Sequence, residues 1–463
     1  MNKKRLVSCL LAGTMLFSGM QMPVNEKVAY AATTKAIKDG ITYLIDENKN
    51  ITIDSYSGSA TEIDLRSWSQ DLGTITAIDS YAFRNCDQLT QITLPNTVET
   101  IGKSAFYNCK SLASIELPAT VKTIGEYAFQ NSAIEGIGMP ATVTSIGQGA
   151  FKGSSIKKIS MPASCSSISS QTFSECKQLS TVDIPDTVTT IYDSAFENST
   201  ITEVTIPASC TAINSKVFNG CTKLTKVTLP SQLKEVEGNA FNGCGSLKEI
   251  DFSGTKVTSI SEMAFKGCKS LAKVTLSDQL ETLGNNAFYG CEKLQGIDFS
   301  GTKVTSISEM AFYGCKVLAS ATLPSRLKTI GNSAFNGCAK LTKIELPEQL
   351  ESIENKAFNE CSLVEVTIPD SEISIYEQAF ANNGSLKKVR FLSPNTEFVV
   401  KNTGASYGAF YNANKQLYFC CDKLEGDEKS SVQKYAEEKG IRCIRPIKAL
   451  SVTNLNTMPT VDV

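Results

Sequence analysis

AFYNCKSLASIELPATVKTIGEY, residues Ala105–Tyr127, carries nearly every position of a unit that recurs along the chain. Its centre, Leu112-Ala-Ser-Ile115-Glu-Leu117, alternates apolar and polar residues over Ile115–Leu117, with Ser114 and Glu116 pointing away from the apolar side. A period of two predicts a short strand with one buried face. Pro118 ends that strand, because proline has no N–H to give to a ladder. Val121 and Ile124 then point inward from a second extended segment. Gly125 is read as allowing the next bend, and the following Ala128-Phe129 as filling the corner.

Working outward, the phenylalanines repeat the unit. Fifteen of the 21 fall on one beat from Phe83 to Phe410; the first fourteen are 22, 23 or 24 residues apart and the last step is 30. Ten of the 14 prolines take the position of Pro118. A period of 20–30 residues held this long is the mark of a solenoid, whose length sets the number of coils. One unit leaves its apolar flanks bare and its backbone unpaired, so its neighbours must complete it. Ile250–Phe265 and Ile297–Phe312 are the same 16 residues, IDFSGTKVTSISEMAF, at an offset of 47. That copying favours an array over a unique catalytic centre. In both copies Ser253 or Ser300 replaces the proline, and the turn is expected to bulge outward.

Composition narrows the chemistry. The 463 residues contain no histidine, which removes Ser/His and Cys/His nucleophile pairs, histidine bases and imidazole metal ligands together. Neither GxxxxGK[ST] nor GxGxxG occurs. Formal net charge is −2, and without residues 1–31 it becomes −5, so no basic stripe calls for nucleic acid. Carboxylate-pair hydrolysis survives these exclusions. No cofactor and no metal are expected.

The N-terminus reads as an export signal: Lys3, Lys4 and Arg5, an apolar run from Leu6 to Met20, then Ala29-Tyr30-Ala31 as an A-x-A cleavage site. No later run is long enough to span a membrane. The expected location is secreted and extracellular, with association at the cell surface.

Ten of the 16 cysteines sit three residues after a repeat phenylalanine, where Ser132, Ser154, Ser199 and Asn383 substitute. The slot is therefore small, buried and able to make one local hydrogen bond to a turn. Cys165 and Cys210 replace the core valine as small hydrophobes. Export invites disulfides. Parallel neighbours one strand spacing apart match a bridge's Cβ separation of ~3.8 Å poorly, so buried, reduced thiols are favoured along the ladder. Cys443 could pair with Cys420 or Cys421.

The order L-x-x-I-x-L-P, with its small or cysteine slot and its A-F corner, resembles the BspA-like (Treponema-type) leucine-rich repeat of bacterial surface and secreted proteins, over about Ile75 to Ile444. The resemblance implies an α/β repeat fold: a right-handed leucine-rich-repeat solenoid with short parallel strands on its concave side. It also implies binding of host or partner proteins, often in adhesion. An N-terminal β cap and a C-terminal helix-containing cap complete the expected fold. The divisions are a signal peptide at 1–31, the N-terminal cap at 32–74, about 14 repeats at 75–392, a final irregular repeat with C-terminal cap at 393–446, and a tail at 447–463. Asp427 is expected to cap a helix reaching Lys439, with Gly440 as its stop.

The outward residues of the concave strands are the expected contact surface, chiefly Thr228, Asp251, Thr275, Asp298, Thr322 and Glu345. Threonine also simply suits a strand. A stripe of hydroxyls and carboxylates without rings suits a polar protein ligand better than a sugar. The function read from these features is a non-enzymatic protein-binding module, monomeric, whose partner is a host extracellular-matrix or cell-surface protein. The alternatives are a hydrolase using Asp251 and Asp298, and an envelope scaffold or spacer with no ligand.

Overall fold

The computed structural model describes residues 33–68, 72–394, 396–399, 407–421 and 429–444. The export segment, Asp427 and the tail lie outside them. The chain enters through an antiparallel meander, β1 (Thr34–Lys38), β2 (Ile41–Ile45) and β3 (Asn50–Tyr56). The Asp46 carboxylate closes the β2–β3 turn by accepting from the Asn50 side-chain amide and from the N–H groups of Asn50 and Asn48, and these bonds lower its pKa. From β3 onward every pairing is parallel, as coil follows coil. β3 pairs with β5 (Thr74–Ile78), while β4 (Glu62–Asp64) pairs with β6 (Gln91–Thr93). The segment TEIDL of the expected cap is thus already a rung of the repeat ladder.

Most coils contribute to two strand-bearing faces. One carries the I-x-L positions in strands such as Glu203–Thr205 and Glu249–Asp251. The other carries two-residue strands such as Thr123–Ile124, placed in register on Ser145–Ile146. Tight turns join them. Val121 donates its N–H to the Pro118 carbonyl, so the proline both ends the strand and opens the turn that follows. The described residues of the repeats form strands and turns, and the described helix, α1 (Ser431–Glu438), belongs to the C-terminal cap.

The bend differs from the glycine reading. In the coils from Phe83 to Phe380 the residues with left-handed backbone stand two before and two after the phenylalanine of the file, as Tyr127 (φ 55) and Asn131 (φ 56) do around Phe129. Gly125 is not among them. A Cβ there would come within 2.6 Å of the Lys103 nitrogen, so its glycine serves a close approach of successive coils.

The core is a set of columns running the length of the array. Phenylalanine rings 83 to 410 stack in one file, with centroids between 5.1 Å (Phe241–Phe265) and 5.7 Å (Phe151–Phe173). Beside it runs the cysteine column. Cys268 donates its S–H to the Phe241 carbonyl at 3.1 Å, and Cys109, Cys221 and Cys315 repeat the contact to Phe83, Phe196 and Phe288. The bond therefore ties one coil to the preceding one, where the sequence suggested a bond within a turn. Asn383 fills the slot in the same way, donating to the Phe358 carbonyl at 2.7 Å. Burial pushes the Cys109, Cys176, Cys221 and Cys268 thiols up to about 12. They stay protonated, unreactive core groups.

At the far end, Ser430 rather than Asp427 caps α1: its hydroxyl accepts the Gln433 N–H, and the Gln433 side chain accepts the Ser430 N–H. This reciprocal arrangement is a capping box. Val432, Tyr435 and Ala436 face inward, Tyr435 stacks on Phe398 at 3.9 Å, and Gly440 (φ 65) stops the helix. The chain then adds Arg442–Ile444 in parallel to Tyr418–Cys421.

Candidate interaction face

The polar residues between I and L stand on the outer side of the first ladder because strand alternation sends their neighbours into the core. Around Asp251, for example, Ile250 and Phe252 are buried. Thr228, Asp251, Asp298, Thr322 and Glu345 are exposed, and Thr275 is half-buried. Register sets Thr205 beside Thr228, Asp251 beside Thr275 and Asp298 beside Thr322. One column of sequence thus becomes one row in space. Lys226, Glu249, Lys273 and Lys343, two residues before members of that row, are exposed alongside it.

The row is not chemically uniform. The Asp251 carboxylate accepts the Ser253 N–H at 2.9 Å, and Asp298 does the same for Ser300. These aspartates hold the outward S-G-T turns that replace proline, while Thr255 and Thr302 fold back on the carbonyls of Phe252 and Phe299. The backbone bond from Ser253 lowers the Asp251 pKa. Glu345 is held down by Lys343, 2.6 Å away on the same exposed stretch. The Asp251 and Glu345 carboxyls therefore stay ionised. A glycosidase acid needs the opposite shift.

The strands of this face, which pair in separate short sheets, lapse altogether in two places, and both are depressions. Leu112–Pro118 and Ile134–Pro140 meet through the single bridge Ser114–Gly136, above a hollow of about 840 Å³ whose lining includes Arg66, Glu116 and Gly138. The strand expected in the quoted coil is therefore reduced to that bridge. Its partner segment places Gly136 and Gly138 at strand positions, where glycine has no side chain to pack and weakens pairing. The second lapse, around Lys343–Glu345, borders a hollow of about 560 Å³ lined by Glu345, Glu365, Thr367 and the exposed Val364. The pair Gly136 and Gly138 signalled the first hollow in the sequence. No comparable signal marks the second.

Exposed aromatic rings lie off this row. Tyr81, Tyr407 and Tyr411 are at the phenylalanine corners and Tyr192 at a glycine column. Elsewhere the surface is crossed by ion pairs one coil apart, among them Lys122–Glu99, Lys103–Glu126 and Lys328–Glu351, each at 2.8 Å. Among the described residues, no group of three potential metal ligands occurs, and no helix is long and apolar enough to cross a membrane.

Stacked coils, a phenylalanine file and an open row of polar strand residues define a leucine-rich-repeat solenoid. The chain belongs to the BspA-type leucine-rich-repeat family: residues 76–202, 189–319 and 305–419 match the BspA type leucine rich repeat region, a model of six copies. No protein of curated function matches it in sequence. Among solved structures, a leucine-rich repeat protein from Bacteroides ovatus is similar at 27% identity and a TM-score of 0.55, covering 70% of this chain and 96% of the other. A leucine rich cell surface protein from Faecalibacterium prausnitzii shares 23% identity, with a TM-score of 0.46 over 82% and 98% of the two chains. The T. pallidum leucine rich repeat protein shares 26%, with a TM-score of 0.35 over 46% and 91%.

Proposed function

We propose that this chain is a secreted or cell-surface, non-enzymatic binding module that attaches to host extracellular proteins through the outer side of its I-x-L ladder. The observation that carries the reading is the division of each coil. The repeating apolar positions are buried, while the varying position faces outward in one row from Thr228 to Glu345. A row that varies in chemistry on a fixed frame suits recognition of a polar protein surface. Family membership supports a protein-interaction role, and the N-terminal signal pattern supports export. The binding row proposed is Thr228, Asp251, Thr275, Asp298, Thr322 and Glu345, acting in a monomer.

The structure also changes which substitutions test the row. Asp251 and Asp298 hold turns, so replacing them disturbs shape together with contact. Thr228, Thr322 and Glu345 are exposed and can be replaced without emptying the core. Immobilised extracellular-matrix and cell-surface proteins are exposed to the full chain and to a Thr228→Arg/Thr322→Arg/Glu345→Arg variant in surface plasmon resonance. Binding by the parent and a loss of about tenfold or more in the variant, at unchanged melting temperature, is the expected result. Equal binding by both would remove the row from the site. Binding of no matrix or cell-surface protein would overturn the adhesion reading.

A further inference from the structure

The C-terminal cap holds two thiols placed unlike those of the ladder. Cys421 Sγ and Cys443 Sγ lie 3.3 Å apart, on residues 22 apart in sequence. They sit on neighbouring parallel strands, Tyr418–Cys421 and Arg442–Ile444, where Cys443 is in register with Phe419. Cys421 is two residues beyond Phe419 and so points to the same side of the sheet. Cys420 points to the other side, and its register partner is Ile444. Nine of the ten ladder thiols behave differently, aiming the S–H at a phenylalanine carbonyl of the preceding coil. In the cap, closing the contact to a bond of about 2.05 Å needs an approach of roughly 1.3 Å, within reach of side-chain rotation and a small strand shift.

We propose that Cys421 and Cys443 form a disulfide that clamps the last described strand of the array to its neighbour. The expected export of the chain supplies the setting in which such a bond persists. Cys443 is half-buried, so an oxidant can reach it, whereas Cys421 is buried. In the reaction, the Cys443 thiolate attacks one sulfur of a protein or small-molecule disulfide. This gives a mixed disulfide and releases one thiol. The Cys421 sulfur then attacks the Cys443 sulfur, and the second thiol leaves. Two thiols of this chain are oxidised, one external disulfide is reduced to two thiols, and the two protons end on the released thiols. The ladder cysteines stay out of the exchange because burial keeps them as thiols, with Cys268 and Cys315 pushed up to about 12.

The bond would close the stretch that contains α1, whose inward face covers the last phenylalanines. The test is peptide mapping of the full chain, incubated with oxidised glutathione and then alkylated without reduction. The expected product links the tryptic peptide Gln416–Lys423 to Cys443–Lys448, lighter by two hydrogens than the two peptides together. It should persist in Cys420→Ser and vanish in Cys421→Ser. Limited trypsin digestion supplies a second reading: reduction should speed cleavage around Lys434 and Lys439 by roughly tenfold, as local opening becomes easier. Alkylated Cys443 after oxidation, a link to Cys420, or dimers joined through Cys443 would each overturn the proposal.

Discussion

Replacing Phe241 with alanine removes one ring from the middle of the phenylalanine file. The side chain is fully buried, 5.3 Å from Phe218 on one side and 5.1 Å from Phe265 on the other, in near-parallel stacks. Burying an alanine in a space shaped for a ring costs about 3–5 kcal/mol, and offset stacking contributes about 0.5–1.5 kcal/mol for each lost ring contact. The neighbouring rings are held by their own coils and cannot collapse far into the gap, so the upper part of the range, about 4–5 kcal/mol, is expected. Because each coil touches only its neighbours, the loss also weakens the joint between the two halves of the array. Trp68, the single tryptophan, reports on the N-terminal end, while circular dichroism reports on the whole chain. In urea the variant should lower the circular dichroism midpoint and move it further from the Trp68 fluorescence midpoint than in the parent. Phe241→Leu should cost less than half as much, since a large apolar side chain still fills the column. A loss under about 1.5 kcal/mol for Phe241→Ala, or equal losses for alanine and leucine, would refute the view that the file holds neighbouring coils together.

Alkaline conditions should unfold the array through its cysteine column. A thiol with an ordinary value of 9.0 that is pushed to about 12 by burial binds its proton more tightly when folded, so its contribution is complete below pH 9 and is lost as pH rises from 9 to 12. At pH 10 the loss is about 1.4 kcal/mol per thiol, and a Cys221→Ser/Cys268→Ser/Cys315→Ser variant should lose about 4 kcal/mol less than the parent between pH 8 and pH 10 in urea titrations; equal slopes would contradict it. Gly125→Ala should cost about 1–3 kcal/mol by thermal melting, because its Cβ would press on the backbone of Lys103 and Gly102. Gly254→Ala meets open space and should change stability by less than about 0.5 kcal/mol; similar effects at both sites would refute the close-approach role.

Much of the fold is legible in one coil. Phe129, Leu112, Ile115, Val121 and Ile124 are buried as their spacing implies, and Gly440 stops the helix as expected. The misread points share a cause. Gly125 looked like a bend residue because glycine is commonest there, but the left-handed positions in this coil are occupied by Tyr127 and Asn131, which a single-residue rule does not flag. The partner of a cysteine S–H could be placed within a turn or across coils from spacing alone. Only stacking brought Cys268 to the Phe241 carbonyl. Asp251 and Asp298 looked like free surface carboxylates, yet each is engaged by the backbone of its own turn.

The sequence by itself determined that the chain is a solenoid and which residues form its core. These are local matters: a coil's apolar periodicity, its proline stop and its phenylalanine corner depend on residues within about 23 positions of one another. The tertiary structure alone decided that the outward row contains turn anchors as well as open residues. It also placed the hollows at the lapses of the ladder and brought Cys443 to Cys421 rather than Cys420. Those outcomes depend on how one coil sits on the next, a matter of register and spacing between residues about 22 or more apart, which no single coil's pattern encodes.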